Sequence, residues 1–362
     1  MAALTWPPQT AQILDLVAGG VLQRADRFRY ELTDRLGTVI GELHPDAERN
    51  PKITNDTNRT IIRTLDNIRL PVSEENAINP MRDRLAPKII LQDGTVFDLG
   101  VFVFQDDSQP VRAWGREHHI QLDDKMKALD QKGATTTGSP AKANIVQRAV
   151  DYARTVLNPA EINAEPNPQT LKAPLLFALS DTVVDIINAH LALVGYLPCY
   201  FNHKGILQMR PAPLDLTKAV APIEYEHGGR IERDSIVESN DLGDAPNTFI
   251  VYESTGTGQF AVGKYYIDPS APHSKENRGF EVRRVESMQG LENAIQATTA
   301  AKTLATTDRK STFEWRTWTS SLDPRHDTWD LVKFLGANFL EVAWTMDLRS
   351  NGRMEHQARR IY

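Results

Sequence analysis

The most constraining feature of the sequence is a run near its C-terminus in which apolar and polar residues alternate. The apolar members of this run are Leu340, Val342, Trp344, Met346 and Leu348. A period of two buries one face of a β-strand, and the Asn351-Gly352 pair that follows favours a tight hairpin turn. The C-terminal region is therefore predicted to contain long, half-buried β-strands.

The N-terminal third shows the same pattern in shorter units. Phe28, Tyr30 and Leu32 alternate with polar residues, and Asp93-Gly94 is typical of a hairpin turn. Strands recur at regular spacing from residue 28 to about 129, which favours a barrel or a sandwich. Residues 47–58 and 71–87 are rich in polar residues and proline, and we predict long loops there that are suited to binding.

The middle of the chain has helical periodicity. Residues 133–140 form a predicted linker, after which Ser139 can cap a helix and Pro140 suits its first turn. A second linker is predicted at 161–174, and a second helix begins at Ser180 and ends at Gly195. A short hairpin at 197–210 completes a predicted small α+β module.

These patterns predict an α+β fold that is mainly β, with two β-barrels joined by a small α+β insert. The predicted domains are an N-terminal arm (1–27), a first β-barrel (28–132), a helix-helix-hairpin insert (133–221) and a second β-barrel (222–362). The second barrel is predicted to contain the strand at 249–253 and one helix at about 291–305. A chain of 362 residues suits two or three domains.

Charge and cysteine content exclude several classes of function. The net charge is −6 with no run of five like charges, which disfavours a protein that grips phosphates. Cys199 is the only cysteine, so an internal disulfide and a cysteine-based metal site are excluded. Residues 1–8 do not resemble a signal peptide, and no apolar run is long enough for a membrane span. We expect a soluble protein made in the cytoplasm.

A glycine-rich segment matches most of a phosphate-binding loop. Gly258 and Gly263-Lys264 have the required spacing, but Tyr265 stands where a Ser or Thr must bind magnesium. The residues that follow favour a strand, whereas such a loop needs a helix N-terminus. We therefore interpret the segment as a cluster of glycines in a β-loop.

Several other residues are candidates for metal binding or catalysis. His118 and His119 are adjacent in a predicted strand, so their rings point to opposite faces, and a zinc pair is not expected. Cys199 lies in an apolar strand, which favours a buried thiol over a nucleophile. We expect His190 to be packed or solvated. Asp323, His326 and Asp327 are close enough in sequence to suggest a metal site, but we interpret this segment as a turn between strands. Four tryptophans could stack on nucleic-acid bases, but we expect them to lie in the core, namely Trp315, Trp318, Trp329 and Trp344.

The order of short motifs along the chain resembles one family, the baseplate hub or minor tail proteins of long-tailed bacteriophages. The likeness begins with the strand, turn and strand at 28–43 and is clearest from Asp83 to Phe102. It continues through Leu122-Asp123-Asp124 and Gly195-Tyr196. The remaining motifs are residues 58–63, 69–71, 204–207, 323–324, 329–332 and 352–354. It covers nearly the whole chain, although each motif is short.

The resemblance implies a structural role with no catalytic residue, no cofactor and no metal. Hubs of this family place two tube-protein-like barrels per chain in a homotrimer, which gives a pseudo-six-fold ring on the tail tube. The implied partners are the distal tail protein, the tape measure protein and downstream tail-tip or receptor-binding proteins, in the tail tip of the virion. DNA would pass through without specific binding. Many relatives carry a C-terminal lysin or spike domain, whereas this sequence ends at Tyr362, so enzymatic activity is not expected.

Two other functions stay open on the sequence alone. A tail-associated cell-wall hydrolase would use Cys199 or a histidine as its nucleophile or base. A nucleic-acid-binding protein of the DNA channel would show steeply salt-dependent affinity.

Overall fold

The computed structural model describes residues 27–45, 50–71, 78–108, 111–112, 115–132, 138–158, 161–213, 221–226, 230–253, 261–308 and 312–360. The predicted N-terminal arm lies outside them except for Arg27. Within the described residues, no helix is long and apolar enough to cross a membrane.

The first half of the described chain is built mainly from strands. Its strands are β1 (Arg27–Thr33), β2 (Val39–Leu43), β3 (Lys52–Asp56), β4 (Arg63–Pro71), β5 (Arg84–Ile90), β6 (Val96–Asp98), β7 (Phe102–Ser108), β8 (Val111–Arg112), β9 (Gly115–Asp124), β10 (Gly138–Ser139), β11 (Ile162–Ala164) and β12 (Leu175–Leu176). Its helices are α1 (Met126–Leu129), α2 (Ile145–Val156) and α3 (Val183–Leu193).

The second half contains strands of up to eleven residues. They are β13 (Tyr200–Phe201), β14 (Leu207–Met209), β15 (Ile223–Tyr225), β16 (Val237–Asn240), β17 (Thr248–Glu253), β18 (Val262–Tyr266), β19 (Arg283–Met288), β20 (Glu314–Ser321), β21 (Leu331–Phe334), β22 (Ala337–Asp347) and β23 (Arg353–Arg359). Its helices are α4 (Lys275–Arg278) and α5 (Ala294–Thr307), with a 3-10 turn at Arg233–Ser235. The predicted α+β class, mainly β, is confirmed.

One continuous sheet connects the N-terminal and C-terminal β regions. Its order is β16-β20-β23-β22-β3-β4-β9-β7-β5-β1-β2, with β6, β8, β15 and β21 paired beside this path. The junction is β3, which pairs with β22 on one side and β4 on the other. Residues 47–58 were predicted as a loop, and this prediction is wrong for β3. The strand was missed because only Ile53 and the polar Asn55 point inward.

The middle α+β core is larger than predicted. Helices α2, α3 and α5 share one buried cluster with Phe249 and Val251 of β17, and α5 packs on the sheet β18-β17-β19. The strand at 249–253 and the helix near 291–305 were assigned to the second barrel, and the structure corrects both. They join the middle core because their buried faces, including Ala297 and Ala301, pack there.

Helix α2 begins later than predicted. Its N-cap is Asn144, whose side chain accepts a hydrogen bond from the Gln147 backbone N–H, and not Ser139. Ser139 lies in β10, and Lys142 has φ of +68°, outside the helical region. The second linker likewise contains β11, which pairs in parallel with β14. Helix α3 and the hairpin β13–β14 are confirmed.

The predicted tryptophan core is confirmed for three of the four residues. Trp318, Trp329 and Trp344 are buried, and Trp315 is partly buried against the same part of the molecule. Trp344 packs with residues of the first β region, such as Leu65 and Leu122, which joins the two β regions by side chains as well as by backbone. None of the three buried rings is accessible for base stacking.

Candidate functional site

The phosphate-loop candidate is divided between described and undescribed residues. Gly258 lies outside the described residues, whereas Gly263 and Lys264 lie within strand β18. A Cβ on Gly263 would approach the carbonyl carbon of Ala297 to 2.0 Å, so glycine is needed for the close contact of α5 with the strand. Lys264 continues the strand and does not open a helix, which contradicts a phosphate-binding loop.

Two further candidates are the adjacent histidines His118 and His119 and the thiol of Cys199. His118 and His119 lie in β9 opposite Leu70 and Arg69, as the predicted strand requires, and their side chains lie outside the described residues. Cys199 is fully buried, and burial raises the pKa of its thiol to about 12. A protonated and inaccessible thiol contradicts a nucleophilic role.

His190 is a packed histidine of the middle core. Its Nδ1 lies 2.7 Å from the Ile186 carbonyl oxygen, and its Nε2 lies 2.8 Å from the Ser139 hydroxyl. The carbonyl can only accept, which assigns the ring proton to Nδ1 and leaves Nε2 to accept from Ser139. Burial lowers the pKa of His190, so the ring is neutral and contributes to packing against Tyr152 and Phe177.

The third group of candidates lies in a loop that is buried throughout its length. Every residue of 322–330, here named the buried loop, is buried. Loops normally run over the surface because their backbone groups need partners. Two aspartates supply such partners here. Asp323 accepts from the Arg325 backbone N–H at 3.0 Å, and Asp330 accepts from the Asp327 backbone N–H at 2.6 Å.

The predicted turn between strands at Asp323-Pro324 is present, because the buried loop connects β20 to β21 and turns at residues 324–325. Trp329 has φ of +61°, a left-handed conformation that is rare for a bulky side chain. Trp329 is nevertheless only 4% exposed. Such strain persists where surrounding contacts hold the backbone in place. The buried loop is thus a fixed part of the core and not a surface connection.

Asp327 joins the buried loop to the rest of the molecule. Its carboxylate lies 2.6 Å from the Arg63 guanidinium of β4 and 3.0 Å from Nδ1 of His203 in the insert hairpin. Burial alone would raise the pKa of Asp327, but the Arg63 charge and the His203 hydrogen bond outweigh it and hold that pKa below its usual range. Thr328 adds a hydrogen bond to Asn55 of β3 at 2.7 Å.

A second part of the cluster is a ring of four hydrogen-bonding side chains. Glu341 contacts Nδ1 of His326 at 2.5 Å and Nδ1 of His356 at 2.7 Å through its two carboxylate oxygens. The hydroxyl of Tyr225 lies 2.6 Å from Nε2 of His326 and 3.4 Å from Nε2 of His356. Ser320 also contacts His356 Nε2, at 2.8 Å. Strands β15, β20, β22 and β23 and the buried loop therefore meet here.

The charges of the cluster are closely matched. Asp323 pairs with Arg325 at 2.6 Å and with Arg230 at 2.5 Å, and these contacts overcome burial to lower its pKa. Burial lowers the pKa of His326 to about 4 and also lowers that of His356, so both rings are neutral near pH 7. Burial and the neighbouring Asp327 raise the pKa of Asp330 to about 7.

Sequence reasoning found Asp323, His326 and Asp327 but missed their partners. Glu341 was placed on the solvent side of the alternating C-terminal strand, whereas a β-bulge between residues 341 and 343 turns it inward. His356 carried a signal, because it occupies an inward position between Met354 and Ala358. No local pattern marks the more distant partners, which the fold alone brings together. They are Arg63, His203, Tyr225 and Arg230.

The cluster is enclosed, and its chemistry is that of a structural network. The side chains of His326, Glu341 and His356 are at most 1% exposed. A molecule from solvent reaches them only if the surrounding strands separate. An open cleft of about 400 Å³ lies elsewhere, between the turn at Asp34 and the insert hairpin, with charges of both signs such as Lys125 and Glu161.

The two ends of the continuous sheet form the other notable surface. Among the described residues, β2 pairs only with β1 and β16 pairs only with β20. Both carry exposed apolar side chains, since Val39 is 54% exposed, Ile40 47% and Val237 57%. Unpaired strand edges are sites at which another chain adds a strand.

Comparison with known proteins gives a consistent result at the level of structure. A tail protein from Neisseria meningitidis MC58 matches with a TM-score of 0.63 and 12% identity, covering 92% of this chain and 96% of that one. The 43 kDa tail protein of prophage MuSo2 from Shewanella oneidensis matches with a TM-score of 0.60 and 12% identity, covering 92% and 98%. The chain has the fold of phage tail proteins.

A similar fold also occurs in a chain of a larger complex. A chain of the Francisella PdpA-VgrG complex matches with a TM-score of 0.52 and 10% identity, covering 96% of this chain and 60% of that one. No protein-family model matches the sequence, and no curated protein matches it significantly. This chain and the matched structures therefore share a fold although nearly nine in ten of their aligned residues differ.

Proposed function

We propose that this protein is a structural component of the phage tail tip, a homotrimeric baseplate hub that closes the tail tube. In this role it connects the tube to the distal tail protein and to downstream tail-tip or receptor-binding proteins, and contacts the tape measure protein. DNA passes through the ring without specific binding, which suits the net charge of −6. The protein acts in the virion and catalyses no reaction.

The observation that carries the proposal is the continuous sheet, whose two edge strands among the described residues differ from each other. Strand β2 ends the sheet on one side and β16 ends it on the other. Pairing of β2 in one copy with β16 in the next would be a head-to-tail contact, and such contacts form a ring when the rotation closes. The tail-protein fold shared with the Neisseria and MuSo2 proteins supports the same role.

The matched chain of the Francisella complex supports tail-like partners. That complex contains two proteins, PdpA and VgrG, and this chain covers 60% of the matched chain. From this match we infer only that the present protein, which has a similar fold, also assembles with other proteins. The distal tail protein, the tape measure protein and the receptor-binding proteins belong to the proposal.

Mass photometry of the purified protein tests the proposal. We expect a species of three chains, as the resemblance to tail hubs implies, and the one β2 edge and one β16 edge of each copy allow such a ring to close. The double variant Val39→Lys, Ile40→Lys places two charges on β2 and should reduce the trimer at least tenfold at equal concentration. Ile295→Lys, at a position 78% exposed on α5, is the matched control and should assemble normally.

A wild-type protein that stays monomeric and does not join tails when added to hub-deficient particles would contradict the hub role. Equal assembly of the β2 variant and the control would contradict the edge-to-edge contact specifically.

A further inference from the structure

Three side chains of metal-ligand type converge in the core of the C-terminal β region. His326, Glu341 and His356 each present one ligand atom, and these atoms lie within 4.8 Å of one another. They come from three segments of the chain, namely the buried loop, β22 and β23. Both histidines direct Nδ1 at the same carboxylate, at 2.5 and 2.7 Å.

The outer nitrogens of both histidines are held by hydroxyl groups. Nε2 of His326 lies 2.6 Å from the Tyr225 hydroxyl, and Nε2 of His356 lies 2.8 Å from the Ser320 hydroxyl. Metal-binding histidines almost always use their second nitrogen in this way, which fixes the ring and selects the tautomer. The two rings therefore have both features of a metal site, namely nitrogens that can bind the ion and hydrogen-bond partners that hold the rings in place.

The hydrogen bonds of Ser320 permit the tautomer of His356 that can bind a metal ion. The Ser320 hydroxyl also lies 2.8 Å from the Ser321 carbonyl oxygen, which can only accept, and a hydroxyl has one hydrogen. When Ser320 donates to that carbonyl, its oxygen can accept a proton carried on His356 Nε2. A neutral ring in that tautomer presents a bare Nδ1 to the Glu341 carboxylate, and the position between these two atoms can take a proton or a metal ion.

We propose that His326, Glu341 and His356 bind a zinc ion that fastens the buried loop to β22 and β23. Two imidazole nitrogens and one carboxylate are a common zinc ligand set. Bonds of about 2.0–2.1 Å in tetrahedral geometry place ligand atoms roughly 3.3 Å apart. The two N–O separations of 2.5 and 2.7 Å need to widen by less than about 1 Å to reach this spacing.

Elemental analysis of the intact protein is the primary test. Protein made in zinc-supplemented medium and purified without chelators should contain about one zinc per chain. Glu341→Gln and His356→Gln should each reduce the zinc content at least tenfold. His190→Gln is the matched control, because it also alters a fully buried histidine but in the middle core, and it should retain the zinc.

A second measurement keeps the test decisive if those variants fail to fold. Wild-type protein is unfolded, stripped of metal with a chelator and refolded with or without equimolar zinc, since binding of a structural metal is coupled to folding. We expect the thermal midpoint to rise with zinc. Cobalt in place of zinc should give the visible absorption of a tetrahedral site.

Wild-type protein without metal, together with a midpoint that zinc does not change, would overturn the proposal. Equal zinc content in Glu341→Gln, His356→Gln and the control would do the same. The zinc site does not depend on the proposed role in the tail, because trimer formation is measured separately.

Discussion

The middle α+β core and the buried loop are equally shielded from water but are stabilised in different ways. The middle core is formed by apolar side chains of α2, α3 and α5 and of the sheet beside them. The buried loop is held by charged and hydrogen-bonding side chains, because Asp323, Asp327 and His326 pair with Arg230, Arg63 and Glu341 outside the loop. The stability of the middle core therefore depends on how well its apolar side chains fit together, whereas that of the buried loop depends on each charged or polar group keeping its partner.

This difference predicts different responses to substitution. Apolar cores tolerate exchanges that keep their volume, whereas a buried charge that loses its partner is strongly destabilising. The buried loop connects β3, β4, the insert hairpin and the C-terminal strands, so it also fixes how the two β regions meet. We infer that its polar network specifies the geometry of the continuous sheet, beyond any net gain in stability.

The largest effect is expected when the buried loop loses a charge partner. Arg63→Met keeps most of the side-chain volume but leaves the Asp327 carboxylate without its guanidinium, which should lower the free energy of unfolding by about 3–5 kcal/mol. Urea denaturation measures this. Arg59→Met is the control, because Arg59 is 60% exposed and pairs with Asp56 on the surface, and its effect should stay within about 1 kcal/mol. Similar losses in the two variants would contradict the claim that the buried loop depends on its charge pairs.

An intermediate effect is expected from tight packing in the middle core. Gly263→Ala places a Cβ against the backbone of Ala297 and should lower the free energy of unfolding by about 1–3 kcal/mol as α5 moves outward. Gly243→Ala has no heavy atom within 4 Å of the added Cβ and should change stability by less than about 0.5 kcal/mol. A neutral Gly263→Ala would mean that α5 is not closely packed on β18.

A different kind of effect is expected in the pH dependence of stability. Asp124 is buried beside Arg63, and burial raises its pKa to about 7, so its contribution to stability is fully present below pH 4 and is lost as the pH rises through 7. Asp124→Asn cannot titrate. The wild type should therefore lose stability relative to this variant between pH 4 and 7, by at most about 1.4 kcal/mol per pH unit.

A substitution in the middle core is the control for the measured pH dependence of stability. Leu191→Ala removes a fully buried side chain without a titratable group, and its loss of stability should be the same at each pH. A constant difference between Asp124→Asn and wild type across pH 4.5 to 7.5 would show that Asp124 is ionised in the folded protein.

Local chemistry explains the parts of the fold that were predictable. The alternation at Phe28, Tyr30 and Leu32 and the Asp93-Gly94 turn depend only on neighbouring residues, and both are present as β1 and the β5–β6 hairpin. Helix α3 was predicted from its apolar spacing and from Gly195, which has φ of +74°. Its capping box of Thr182 and Asp185 is equally local.

The parts that were missed depend on contacts between distant residues. Strand β3 presents Asn55 inward because Thr328, far along the chain, provides its partner. Glu341 turns inward because a β-bulge interrupts the alternation. Strand β17 and helix α5 leave the C-terminal β region because their apolar faces fit the middle core. None of these choices is determined within a window of ten or fifteen residues.

The central claim is that copies of this chain join through the β2 and β16 edges, and disulfide trapping tests it most directly. The only native thiol, Cys199, is buried, so Cys199→Ala with Val39→Cys and Val237→Cys leaves one new thiol on each edge. On oxidation, we predict covalent dimers and trimers on a non-reducing gel, whereas neither single-edge variant should exceed a dimer. A protein that stays monomeric under the same conditions, while wild type forms trimers in solution, would contradict the claim.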